Sequence, residues 1–424
     1  MNSTHNISKV YHGKWRIPKH NQSGEVEYKE CMGTLIYDGE DIKLNVYPDF
    51  SIPPFQCEYI DVMYGRANGG YEFTLFGLIL TNINFGVSAT FSIKEVISGR
   101  KVESLSAPVY DECVVKYPYL RDWINTRLLK ITDKAKLKLE TPLYNLPSIL
   151  DIQLDSGDTL SFRHHNSYKS QQFQFIYEED VAIRIVSNSL TSINHFKEVI
   201  TKFTQFLSVA LYGKQSPCSI KLRSTIDDEE ADELLFRKTK SCEPSHIHLI
   251  KFNLLKDRMK EFVNNWFRGY DQVAPICGYL IRSLEESIFD APKFLIVAQA
   301  IDGYAERFAD NLNKPKNTNY TGNITLLLER FEEIDALQKC NIDANVIAQT
   351  RNKYSHLLPD DTKKHKKAVS GRELYLLTKK TILLLTCCIL DYIGLSAEEI
   401  NKCIENSKAE QLLYGILDAE KNRN

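Results

Sequence analysis

The sequence predicts an α+β protein: a β-rich sheet or sandwich in the N-terminal half, followed by an all-α helical bundle. Three observations carry this. Up to about residue 190, short apolar runs alternate with polar positions between turn residues. From about residue 251 the apolar positions recur at helical spacing. Between them, Asp227-Asp228-Glu229-Glu230 marks an exposed loop and a boundary. The expected division is a β-rich module over 1–190, a helical and acidic-loop connector over 191–250, and an all-α domain over 251–424. A chain of 424 residues with 43% hydrophobic content can bury two cores.

In the first half, Ile42, Leu44 and Val46 alternate with polar residues directly after Asp38-Gly39-Glu40-Asp41, as a strand leaving a turn should. Asn68-Gly69-Gly70 separates the runs 59–64 and 71–76, which predicts a hairpin. Further strands are expected at 90–93, 159–162, 173–176 and 181–186. His164-His165 has no evident partner and reads as a pair of surface histidines. From 192 to 211 the period becomes helical through Phe196, Val199, Ile200, Phe203, Phe206, Leu207 and Ala210.

In the second half, Phe294, Leu295, Val297, Ala298, Ile301, Tyr304 and Ala305 keep helical spacing after Pro292, a good helix-opening residue. A loop rich in Asn, Lys, Thr and Gly is expected over 311–323. Leu326, Leu327, Leu328, Phe331, Ile334 and Leu337 then make a second amphipathic helix. A third helix is expected over 343–356 and must end there, because Pro359 pushes Leu358 out of the helical region. The last, over 374–393, is close to wholly apolar in its second half, as befits the middle of a bundle, and is too short to span a membrane.

The net charge of −2 argues against broad binding to duplex nucleic acid and makes any basic surface local. Lys363-Lys364-His365-Lys366-Lys367, followed by Arg372, is the obvious local cluster. It reads either as a solvated loop joining two helices or as a grip on a phosphate backbone. The polar N-terminus lacks a signal-peptide pattern, so a cytoplasmic location is expected. The ten cysteines contain no C-x2-C pair, and Cys277, Cys387 and Cys388 read as reduced packing residues. Cys242, His246 and His248 offer three zinc ligands without an evident fourth. P-loop, dinucleotide, H-E-x-x-H and nucleophile-elbow patterns are missing, which removes the common nucleotide-driven and hydrolase chemistries from the first rank.

What remains is Arg351-Asn352-Lys353-Tyr354-Ser355-His356. The arginine is cationic at any accessible pH and holds two phosphate oxygens at once, while histidine moves protons near neutrality. By itself such a pair at a helix end reads as a charge set that meets the last carbonyls. Its surroundings point elsewhere. Phe294-Leu295, Gln299-Ala300 and Asp302, then Leu328-Glu329-Arg330-Phe331, then Arg351-Asn352 with His356, resemble the helices and R-[polar]-x3-H motif of ApeA-type HEPN proteins. Asp302 stands where that group more usually has glutamate. His12-Gly13-Lys14-Trp15-Arg16-Ile17-Pro18, Gly33-Thr34-Leu35-Ile36-Tyr37, the stretch 59–82 and Tyr117-Pro118-Tyr119-Leu120-Arg121-Asp122-Trp123 are similar to the β-rich N-terminal module of the same proteins. The likeness covers most of the chain and is weakest over 213–250.

The resemblance implies a HEPN bundle and a metal-independent endoribonuclease, without cofactor, acting in anti-phage defence. Arg351 would stabilise the phosphorane, His356 would serve as general acid or base, Asn352 would orient the phosphate or His356, and Asp302 would hold Arg351 through a charge-assisted pair. Lys363, Lys364, Lys366, Lys367 and Arg372 would hold RNA. The N-terminal module would sense a phage-derived trigger or restrain the nuclease. On a regular helix five residues turn about 500°, so Arg351 and His356 point roughly 140° apart. Two copies packed face to face would supply one cleft, so a homodimer is expected, and the helices from about Leu254 onward are expected to dimerise without the module. The alternatives are a non-catalytic RNA- or protein-binding member of the same fold, and a receptor whose helices serve as a dimerising stalk.

Overall fold

The computed structural model describes residues 8–20, 26–47, 59–84, 87–128, 130–133, 138–140, 146, 148–171, 174–225, 230–243, 247–285, 291–359 and 366–422. The chain forms two units. One holds 1–121, 126–200 and 216–240, and the other holds 122–125, 201–215 and 241–424.

The first unit is built from β1 (Lys9–His20), β2 (Val26–Tyr37), β3 (Ile42–Tyr47), β4 (Tyr59–Ala67), β5 (Glu72–Asn84), β6 (Ser88–Ser98), β7 (Tyr110–Lys116), β8 (Lys130–Asp133), β9 (Lys138–Glu140), β10 (Ser148–Gln153), β11 (Thr159–Gln171), β12 (Gln174–Thr191), β13 (Ser219–Arg223) and β14 (Asp232–Phe236). Strands pair in the order β6-β3-β2-β1-β4-β5, and β5 bonds back to β6, so the first six close an antiparallel barrel. One edge of β6 is shared: Ala89 to Ser92 pair with β3, and Glu95 to Ser98 with β14. From β14 the sheet continues through β13, β7, β12 and β11 to β10, while β8 and β9 pair separately.

Alternation sets which side chains enter the barrel. β3 buries Ile42, Leu44 and Val46 and turns Lys43 and Tyr47 outward. Trp15 is fully buried between two cross-strand glycines. A Cβ on Gly65 would come within 2.1 Å of its ring, and one on Gly33 within 2.7 Å, so these positions admit no side chain while the indole fills the barrel.

Residue 173 lies outside the described residues, and the runs 174–176 and 181–186 lie in one strand, β12. Its pairing with β11 is continuous from Gln174 opposite Gln171 to Val186 opposite Thr159. The acidic stretch Glu178-Glu179-Asp180 looks like a break but is not one, because Glu179 is buried and accepts a backbone N–H from Leu128. The same carboxylate corrects the reading of His164 as a surface histidine: its ring is buried 3.6 Å from Glu179, and burial depresses its pKa while Glu179 opposes that. Of the acidic loop, 227–229 lie outside the described residues.

In the helical unit the long helix Gly371–Ile393 is buried without interruption from Thr381 to Leu390. Its threonines fit there because Thr378, Thr381 and Thr386 donate their hydroxyls to the carbonyls of Leu374, Leu377 and Ile382. No helix of the described residues is long and apolar enough to cross a membrane.

The connector expected over 191–250 is divided between the units. Helix Ile193–Ala210 belongs to the first up to Ile200 and to the second from Thr201. Within the helical unit Trp266 is fully buried; its indole N–H donates to the Lys202 carbonyl at 2.8 Å and its ring meets Phe206 edge-on at 6.0 Å. Trp123 donates to the Ile250 carbonyl at 2.7 Å and packs on Phe206 and Phe252. Tyr212 and Thr386 join hydroxyls at 3.0 Å. The helical core is therefore not confined to residues after 251.

The amphipathic run Leu326 to Leu337 is two helices, Tyr320–Arg330 and Asp335–Cys340. Between them the backbone takes tight turns, Glu332 N–H to Glu329 and Ile334 N–H to Phe331, and Ile334 is extended. The first begins inside the stretch expected to be a loop, because Asn319 caps it by accepting from the Gly322 N–H.

Candidate active site

Three helices pack together around the motif: Ala291–Arg307, Tyr320–Arg330 and Ala344–Ser355. The last carries the motif. Its start is fixed by Asp343, whose carboxylate accepts from the Asn345 N–H at 2.8 Å. Its end is a Schellman turn, Leu357 N–H to Tyr354 O at 3.4 Å and Leu358 N–H to Lys353 O at 2.9 Å. Leu357 takes the left-handed position of that turn, φ +49°, with 88% of its surface exposed. A non-glycine residue there costs about 1–2 kcal/mol. His356 is the C-cap, exposed, its N–H bound to the Asn352 carbonyl.

Arg351 is half-buried. Its Nη1 donates to Asn352 Oδ1 at 3.1 Å, and its guanidinium carbon stands 5.2 Å from the centroid of the Tyr320 ring, within cation–π range. Tyr320 is itself fixed, its hydroxyl donating to the Ala298 carbonyl at 3.1 Å. Burial raises the phenol pKa, the Asp302 charge adds to the rise and Arg351 opposes it, so the ring stands beside both charges and stays neutral.

The expected pair between Asp302 and Arg351 is not formed. Asp302 Oδ1 accepts from Asn323 Nδ2 at 2.8 Å, and the same Nδ2 reaches Glu306 Oε1 at 2.9 Å. Lys314 beside Glu306, more than Asn323, holds that carboxyl below its usual range. The carboxylate is thus claimed by an amide, and the arginine by an aromatic face. Neither Tyr320 nor Asn323 was singled out from sequence, because both fall in the stretch read as loop. The one available signal was Asn319, a good N-cap residue just before them.

Of the five basic candidates, Lys363 and Lys364 lie outside the described residues. Lys366 is exposed. Lys367 pairs with Asp343 at 3.1 Å and its N–H donates to Gln349, which ties it to the N-cap and middle of the motif helix. Arg372 donates to the Ala419 carbonyl at 3.0 Å, satisfying the last turn of helix Lys408–Lys421. The segment after Lys367 is pinned along the helix by Val369 N–H to Thr350 Oγ1 and by Tyr354 hydroxyl to Val369 O. His246 lies outside the described residues, so the Cys242, His246, His248 trio is not placed.

Two family models match the chain. The one described as ApeA N-terminal domain 1 covers residues 10–266, and the one described as Apea-like HEPN covers 295–399. No curated protein matches.

Proposed function

The chain belongs to the ApeA-type HEPN proteins, and from that membership we propose that it is a metal-independent endoribonuclease of anti-phage defence. The observation that carries this reading is the exposed His356 closing the helix whose last turns hold the half-buried Arg351-Asn352 pair, all inside the stretch matched as HEPN. In the proposed reaction the ribose 2′-hydroxyl attacks its own 3′-phosphate. Arg351 faces the charge that grows on the phosphorane, and His356 moves the proton. Asn352 fixes one guanidinium nitrogen, leaving the others for phosphate oxygens. Lys366, with Lys363 and Lys364, would supply local backbone contacts, and the β-rich module would sense the trigger or restrain cleavage.

The product ends test the chemistry. Attack by the 2′-hydroxyl leaves a 2′,3′-cyclic phosphate and a 5′-hydroxyl, so fragments should resist 5′-phosphate-dependent ligation until treated with a kinase. RNA methylated at that hydroxyl at the cut site should stay intact, and EDTA should change nothing. Ligation without kinase, or loss of activity with chelator, would overturn the mechanism.

On a regular helix the spacing of Arg351 and His356 turns them roughly 140° apart, which supports a cleft completed by a second copy. Mixing Arg351→Ala protomers with His356→Ala protomers should restore part of the cleavage that each lacks alone. A full-length protein that is monomeric and fully active at nanomolar concentration would end this part of the reading.

A further inference from the structure

We propose that Tyr320 is a positioning residue for Arg351, in place of a direct pair between the arginine and Asp302. The proposal rests on the ribonuclease reading and deepens it. An arginine meant for a phosphate has a competing requirement: a carboxylate that pins it also occupies its N–H donors and neutralises part of its charge. The geometry here avoids that conflict. The guanidinium carbon of Arg351 stands over the Tyr320 ring at 5.2 Å, a contact that occupies none of its N–H donors, and of those donors Nη1 is bonded to Asn352. The ring is held in place, since its hydroxyl is bound to Ala298 O and the residue is half-buried. Asp302 is meanwhile held off by Asn323, a residue only 1% exposed that grips Asp302 and Glu306 together. Its Oδ1 has no partner among the described residues, so its amide is oriented by the two carboxylates alone.

The test uses the full chain and a labelled mixed-sequence oligoribonucleotide. Position 320 is replaced by Phe, by Leu, and by phenylalanines of increasing ring fluorination, which weaken the cation–π attraction at nearly constant size. We expect kcat to fall stepwise along the fluorinated series, by roughly 3- to 30-fold at its end, the range of a partly desolvated cation–π contact. KM should move little, and Tyr320→Phe should retain most of the activity that Tyr320→Leu loses. A residue that only packs would give a flat series, and that result overturns the proposal. Urea melts of Tyr320→Leu, Arg351→Ala and the double variant read the contact without RNA. Strictly additive losses also overturn the proposal, whatever the activity of the wild type. Non-additive losses in a wild type that cuts no RNA support the contact and overturn the ribonuclease reading alone.

Discussion

Replacing His356 with alanine is expected to lower RNA cleavage by about 10²–10⁴-fold, the usual contribution of a positioned general acid or base. The melting curve should stay close to the wild type, because the ring is exposed and the Schellman turn that holds its backbone is made by main-chain groups. Arg351→Ala should lower cleavage by a comparable factor, about 10²–10³, through loss of charge stabilisation on the phosphorane. It should also cost a little stability, since the guanidinium is half-buried on Tyr320. RNA fragmentation in phage-challenged cells, with the purified variants compared by thermal denaturation, reads both. Two folded variants with wild-type cleavage would remove the motif from the reaction. A folded His356→Ala protein that still binds RNA without cutting it would instead support the catalytic role, because binding does not need the histidine.

The second large effect concerns the helical unit itself. A fragment of residues 251–424 is expected to lack a cooperative melt and to aggregate, contrary to the expectation that the helices after Leu254 stand alone. It keeps Phe252, Trp266 and Thr386 but loses their respective partners Trp123, Phe206 and Tyr212. Each deleted core aromatic costs about 3–5 kcal/mol, and three together reach the whole stability of an ordinary domain, about 5–15 kcal/mol. Within the intact chain, Phe206→Ala should show about 3–5 kcal/mol of this loss in urea unfolding. Cooperative melting of the fragment near the full-length midpoint would show that the later helices repack by themselves.

What was legible in the sequence was whatever has a period or a terminator. The alternation of Ile42, Leu44 and Val46, the Asn68-Gly69-Gly70 turn, and the helix ending at His356 before Pro359 all stand where the pattern places them. Partners were harder. That Asp302 binds Asn323 and not Arg351 follows from a helix start at Tyr320, which the polar composition of 311–323 conceals. His164 looks solvent-facing because its buried partner, Glu179, is itself a residue type that sequence places outside. The helical unit's share of 122–125 and 201–215 is a matter of long-range packing, which local pattern does not encode.

The shared edge of β6 sets an order of events during synthesis. Ile97 pairs with Leu234, more than a hundred residues later in the chain. At about 5–20 residues per second, about 7–27 seconds separate the two as they leave the ribosome. β3 and β5 are already made by then, so the barrel can close around Trp15 while half of one β6 edge stays unpaired. Through that interval the nascent chain carries an open row of donors and acceptors, which is the period when a chaperone has something to hold and a neighbouring chain something to pair with. β14 is also made before the motif helix Ala344–Ser355 is translated, so that edge can be paired before Arg351 and His356 leave the ribosome.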